Sequence, residues 1–216
     1  MVKAVRIDAS TEALLDPGAP AWRSPPEETL ALTPTPISVQ PSVYVIAKWK
    51  DLGYGAVQQV RIRAAHNGEA LLFRLTWDDE TASDRIGDTD QFADAAAVLF
   101  PLNGDAPIAN MGMEGQPVNA WYWRPDLERP LNVTAQGPGT TVRHKEDVFL
   151  EANGRHADGG WSVVVARPFG VQGANAVSLA PGQPAKVGFA VWQGANQERG
   201  GLKAFTPAWQ PLEIEA

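Results

Sequence analysis

Apolar and polar residues alternate with a period of two along most of the chain. In Glu69–Trp77, the residues Leu71, Phe73, Leu75 and Trp77 share one face. In Val57–Ala65, Val60, Ile62 and Ala64 alternate with Gln59, Arg61 and Arg63. Gly160–Arg167 sets Trp161, Val163 and Val165 on one side, and Ala185–Gln193 does the same with Val187, Phe189 and Val191. Shorter strands are expected at Tyr44–Trp49, Ala96–Phe100, Val118–Trp123, Leu131–Ala135, Val148–Glu151 and Trp209–Ile214. Turn-forming runs separate them, among them His66-Asn67-Gly68, Asn103-Gly104, Gln136-Gly137-Pro138-Gly139 and Asp158-Gly159-Gly160. No long helical pattern interrupts this series. The pattern predicts an all-β chain, an antiparallel β-sandwich with long loops and a few short helical turns, placed near Thr11–Leu15 and Asp90–Ala95. Asp78–Asp90 and Gly194–Pro207 carry little strand signal and are long enough to be suspected of function. Gly and Pro are spread throughout and no repeat is visible, so residues 1–216 are expected to form a single domain.

Composition narrows the chemistry. A chain of 216 residues with 44% apolar and 20% charged residues can bury a real core. The net charge of −7 argues against nucleic acid and against an anionic membrane surface, both of which need clustered Lys and Arg. Cysteine is absent, which excludes disulfides, thiolate metal sites, protein-held iron–sulfur clusters and covalent c-type haem. His66, His144 and His156 are the only histidines, and no two stand at i,i+4. No export signal and no apolar run of about 18 residues is visible. The expectation is a chain without membrane insertion that is either cytoplasmic or exported without a signal of its own.

Taken by their chemistry alone, few residues stand out. The acidic run Asp78-Asp79-Glu80, continued by Asp84, Asp88 and Asp90, offers oxygen ligands without the spacing of an EF-hand and reads best as a solvated loop. Eight Trp suit a sugar-stacking platform if exposed, with Trp121 and Trp123 on one strand face and Asn119 beside them. No G-x-S-x-G elbow and no distinctive carboxylate pair marks a hydrolase. Met111 and Met113 sit in a Gly-rich turn, Asn110-Met-Gly-Met-Glu-Gly115, where a thioether is either a soft metal ligand or a gap filler.

Two segments add to this reading. They are Met111-Gly-Met-Glu-Gly-Gln-Pro-Val-Asn-Ala-Trp-Tyr-Trp123 and Phe189-Ala-Val-Trp-Gln-Gly-Ala-Asn-Gln-Glu-Arg-Gly-Gly-Leu-Lys203. Together they resemble the haem b-binding γ subunit of ethylbenzene dehydrogenase and its relatives in type II dimethyl sulfoxide reductase family molybdoenzymes. Those relatives serve dimethyl sulfide dehydrogenase, steroid C25 dehydrogenase, and chlorate and selenate reductases. The likeness runs the length of the chain and takes in Pro34-Thr-Pro36, Ala65-His-Asn-Gly68 and Leu212-Glu-Ile214.

The resemblance implies a non-catalytic electron-transfer subunit that holds haem b non-covalently, in agreement with the missing cysteines. The iron's axial ligands fall on Met111 and Lys203, with Met113 as the fallback. Asn119, Trp121, Arg199 and Phe205, close to these motifs in sequence, are expected to line the pocket. The residue before the lysine is often basic in relatives, whereas here it is Leu202, which leaves Lys203 as the only amine of its loop. The implied partners are a catalytic molybdenum α subunit, an iron–sulfur β subunit and an external acceptor such as a soluble cytochrome. The molybdenum cofactor and the clusters belong to those subunits. The implied location is the periplasm, reached with a signal-bearing partner, and the similarity leans to the hydrocarbon- or steroid-hydroxylating branch. The competing function is a carbohydrate-binding β-sandwich module.

Overall fold

Period-two alternation becomes strand where a neighbouring strand supplies hydrogen bonds, and in the computed structural model, which describes all 216 residues, it does so along most of the chain. The strands are β1 (Val2–Arg6), β2 (Glu28–Ala31), β3 (Thr33–Pro34), β4 (Gln59–His66), β5 (Ala70–Asp78), β6 (Ala95–Pro101), β7 (Gly112–Met113) and β8 (Gln116–Trp123). They continue as β9 (Leu131–Ala135), β10 (Val142–His144), β11 (Glu151–Ala157), β12 (Gly160–Pro168), β13 (Pro184–Trp192), β14 (Ala204–Phe205) and β15 (Gln210–Ile214). Helix α1 spans Thr11–Leu15 and α2 spans Val43–Trp49.

The main path of pairing runs β10-β9-β8-β6-β13-β15-β1-β4-β5-β12-β11. It folds over at β13. Residues Pro184–Val187 pair with β15, and Gly188–Trp192 pair with β6. One strand thus serves both layers of a sandwich. Aromatic side chains lock the layers together: Phe73 of β5 lies 6.0 Å from Trp121 of β8 and 5.9 Å from Phe189 of β13, ring centre to ring centre. The larger core cluster fills this interior. Pairing is antiparallel except at β1, which pairs parallel with both β15 and β4.

The expected helical turn at Thr11–Leu15 is α1, capped by Ser10. The turn expected at Asp90–Ala95 does not form, and Tyr44–Trp49, expected as a strand, is helical. Its β-branched and aromatic residues suggest a strand. Ser42 Oγ instead accepts from the Val45 amide at 3.5 Å, and the inward residues are Val45, Ile46 and Trp49, a helical spacing. The strand expected at Val148–Glu151 starts at its far end, as β11.

A second apolar layer covers the outer face of the β6–β8–β9–β13 sheet. Ala95, Ala97, Leu99, Val118, Ala120, Val133, Ala190 and Trp192 belong to it. Ala97 pairs with Ala190 and Leu99 with Ala120 across neighbouring strands. Methyl groups in place of large side chains leave this face flat.

Candidate functional site

A cavity of about 310 Å³ lies on that flat face. This is within the usual range for small-molecule sites. Its floor is Ala97, Leu99, Ala120, Tyr122 and Val133. One wall carries Trp192, Gly200, Gly201 and Lys203, backed by Thr35, Val39, Gln40 and Pro41. The opposite wall carries Ala109, Asn110, Met111 and Gly137-Pro138-Gly139. Arg143 stands at the rim. It pairs with Val133 across β10 and β9, so it shares Val133's face and is turned toward the cavity.

Met111 is presented by a strained turn. The 3-10 turn Ile108–Asn110 ends at Met111, whose backbone is left-handed with φ 56°. That conformation disfavours a side chain, and the surroundings hold it in place. The Met111 amide donates to Ile108, its carbonyl accepts from Gly137, and the Gly112 amide donates to Pro107. Gly112 itself has φ 91°, and a Cβ there would lie 2.6 Å from the Gln116 carbonyl oxygen and 2.9 Å from that of Ala135. Gly112→Ala is therefore expected to cost about 2 kcal/mol or more. It should also displace Met111, read as a lower melting temperature together with weaker loading of the cavity. Met113, two residues on, is 49% exposed and does not line the cavity.

Lys203 is fixed from both sides of its own backbone. Its carbonyl accepts from the Thr35 amide at 3.0 Å, while β14 just beyond it pairs with both β13 and β3. This explains why Pro34-Thr-Pro36 belongs with the lysine motif. The preceding loop is pinned by buried carboxylates. Glu198 accepts from the Ala56 amide at 2.8 Å, the Gln193 amide at 3.0 Å and the Asn196 side chain at 3.0 Å. Trp192 donates its indole N–H to the Gly200 carbonyl at 3.0 Å, and Gln40 donates to the Gly201 carbonyl at 3.0 Å.

The Lys203 side chain is only 4% exposed. Its Nζ lies 5.1 Å from the Trp192 ring centre. Burial alone pushes its pKa down to about 8, with no charged group contributing. An amine on a cavity wall, without a counter-ion and with an eased path to the neutral form, is a ligand group in waiting. The opposite wall supplies a thioether. A planar apolar group between them would meet alanine methyls below and the Trp192 ring beside it, and Arg143 at the rim suits an acidic substituent. These residues fit a haem.

The remaining expected residues fall elsewhere. Asn119 and Trp121 are on β8 in phase with Trp123, so they turn into the sandwich and away from the cavity. Asn119 donates to Asn132 at 2.6 Å and accepts from the Val177 amide at 3.3 Å. Strand alternation puts Ala120 and Tyr122 at the cavity instead. Arg199 stacks over Phe92 at 4.2 Å. Phe205 is buried in the layer beneath the cavity without lining it. Burial of Trp121 and Trp123 also removes the exposed pair that a sugar platform needs. Of the lining residues, only Met111 and Lys203 were anticipated, and Tyr122, Trp192, Gln40 and Arg143 are among those that were not. Tyr122 and Trp192 had a signal, their phase along β8 and β13.

Among relatives, the chain is 40% identical over 166 residues to "Chlorate reductase subunit gamma" of Ideonella dechloratans, covering 76% of this chain and 68% of that one. It is 32% identical over 200 residues to "Dimethylsulfide dehydrogenase subunit gamma" of Rhodovulum sulfidophilum, covering 90% and 73%. It is 39% identical over 150 residues to "Putative respiratory nitrate reductase heme subunit ORF7" of Haloferax mediterranei, covering 69% of this chain and 54% of that relative. In structure the chain is similar to a family 9 carbohydrate-binding module from Caldicellulosiruptor kristjanssonii, at TM-score 0.51 and 7% identity, covering 99% of this chain and 96% of the other. It is also similar to a protein from Bacteroides uniformis described as "a putative carbohydrate-binding protein", at TM-score 0.54 and 13% identity, covering 100% and 97%. At such identities the likeness concerns the sandwich and not the ligand. A family profile described as "Ethylbenzene dehydrogenase" matches residues 19–149 and 135–204. The chain therefore belongs to the ethylbenzene dehydrogenase family, with the γ subunits of chlorate reductase and dimethylsulfide dehydrogenase as relatives.

Proposed function

We propose that this chain is the electron-transfer subunit of a multi-subunit molybdenum oxidoreductase and holds haem b between Met111 and Lys203. The observation that carries this is the buried, unpaired amine of Lys203 facing the same cavity as Met111, from a separate loop. A relative named as a heme subunit and two named as γ subunits of oxidoreductases support it. Bound haem b would supply a one-electron ferric–ferrous couple.

The chain's own residues determine how that couple is used. Met111 and Lys203 would both hold the haem iron, which would leave no open site for substrate and make the role outer-sphere electron transfer. A thioether ligand favours the ferrous state and raises the potential. Trp192 and the β6–β8 floor exclude water from the apolar faces. Arg143 offers a guanidinium to a propionate. The whole chain, residues 1–216, acts as one haem-binding domain.

The complex supplies the rest of the path. A molybdenum α subunit and an iron–sulfur β subunit deliver or take electrons, and an external acceptor such as a soluble cytochrome meets the haem. The proposed location is the periplasm, entered together with a signal-bearing partner, and the proposed branch is hydrocarbon or steroid hydroxylation. No helix of the chain is long and apolar enough to cross a membrane.

The two methionines provide the test. Met111→Ala is expected to lower haem retention by about tenfold or more and to change the ligand-sensitive bands, since even outer-shell changes at metal sites cost 10–100-fold. Met113→Ala is expected to match wild type in both. If Met113→Ala alone does the damage, the ligand assignment is wrong by two residues.

A further inference from the structure

We propose that Arg167 is a buried cation that sets the reduction potential of the group held in the cavity, acting through the pocket floor. This rests on the haem reading above and deepens it. Arg167 pairs with Leu71 across β12 and β5, and it shares its face of β12 with Trp161, Val163 and Val165. Its side chain therefore runs between the two layers. It is 1% exposed, and none of its three guanidinium nitrogens has a hydrogen-bond partner. Lys and Arg ion pairs occur elsewhere in the chain, but Arg167 has none.

The guanidinium carbon lies 4.9 Å from the centre of the Trp121 ring. Trp121 is on β8, and its neighbours Ala120 and Tyr122 turn the other way and line the cavity. One strand's thickness separates the stacked ring from the cavity. The charge is thus held behind the floor, on the far side from Met111 and Lys203.

A guanidinium in that position costs stability, because nothing replaces the water it gives up. An apolar side chain would fit a β-sandwich interior better. Burial pushes its pKa down to about 10, which still leaves it charged at neutral pH. His66, the other unpartnered titratable group on this inward face, has its pKa lowered by burial and adds no charge there at neutral pH. Arg167 thus places an unpaired positive charge behind the cavity floor. Ferric haem carries one more positive charge than ferrous haem, so a nearby cation favours the state that has gained the electron. With an effective dielectric near 20, a unit charge on the order of ten ångström away changes such an equilibrium about tenfold.

The test is an equilibrium redox titration of the haem-loaded protein, with its partner subunits where they co-purify. Arg167→Met and Arg167→Gln remove the charge and keep most of the side-chain length. Arg167→Lys keeps the charge. Both neutral variants are expected to retain the wild-type axial-ligand spectrum. Their reduction equilibrium should shift about tenfold toward the oxidised form, a fall of about 59 mV for one electron. Arg167→Lys is expected to stay near wild type. An unchanged potential in the neutral variants overturns the proposal, as does an equal fall in Arg167→Lys. Loss of the fold in both neutral variants would make Arg167 structural and overturn it too. Wild-type protein without any haem spectrum is a separate outcome, which refutes the haem reading and this proposal with it.

Discussion

Lys203→Ala is expected to weaken haem retention by about a hundredfold while leaving the apo chain folded. The energetics of the amine explain both halves. At its ordinary pKa of about 10.4, freeing a lysine amine at pH 7 costs about 5 kcal/mol. With the pKa pushed down to about 8 by burial, the cost falls to about 1 kcal/mol. The protein has already met most of the ligation penalty in its own fold. Removing the side chain relieves that burial penalty and loses the packing of its stem, so the apo melting temperature should change little. Haem retention, by contrast, loses a ligand. The same argument fixes a pH dependence. Ligation requires the neutral amine, so below pH 8 haem uptake by the apo protein should weaken about tenfold per pH unit, and above pH 8 it should level off. Lys203→Ala should abolish that slope. Haem titrations between pH 6 and 9 check all three statements.

Asp94→Ala is the change expected to damage the fold most. Asp94 is fully buried and accepts from three donors: the Gly194 amide at 2.8 Å, the Ser83 amide at 2.8 Å and the Trp161 indole at 2.9 Å. These donors lie in the loop ahead of Lys203, in the Asp78–Asp90 loop and in the sandwich core. Alanine would leave all three unpaired in a dry site, at a cost of about 3 kcal/mol or more. Denaturant unfolding would show it as a lower midpoint. Burial outweighs the donors and raises the Asp94 pKa to about 6. The folded chain therefore holds this proton more tightly than the unfolded one. The stability contributed by the group is fully present below about pH 4 and is lost as pH rises through 6. Asp94→Asn should flatten the stability profile between those values, relative to wild type.

The strands that can be read from the chain are those whose larger side chains face the aromatic interior. β4 alternates most cleanly because its outward residues Gln59, Arg61 and Arg63 are polar, whereas β5, β12 and β13 are buried on both faces along part of their length and still show their interior-facing set. The two-residue strands β3, β7 and β14 have no pattern of their own and exist because partners hold them. Helix α2 was hidden by its composition, Val43, Tyr44, Val45 and Ile46, and only the Ser42 cap points the other way. The site divides similarly. Met111 and Lys203 enter through a family resemblance, since an isolated methionine or lysine carries no such message. Asn119 and Trp121 were drawn toward the site by their nearness in sequence, although their phase with Trp123 already sets them on the opposite face. Gln40 and Arg143 come from distant segments that only the fold brings to the cavity, so no local pattern could have named them.

The most direct measurement is the absorption spectrum of the purified protein, with partner subunits if they accompany it, before and after dithionite. The account predicts a Soret band that shifts on reduction, sharp α and β bands, and a pyridine haemochrome of the b type. A flat visible spectrum that persists after incubation with hemin would contradict it.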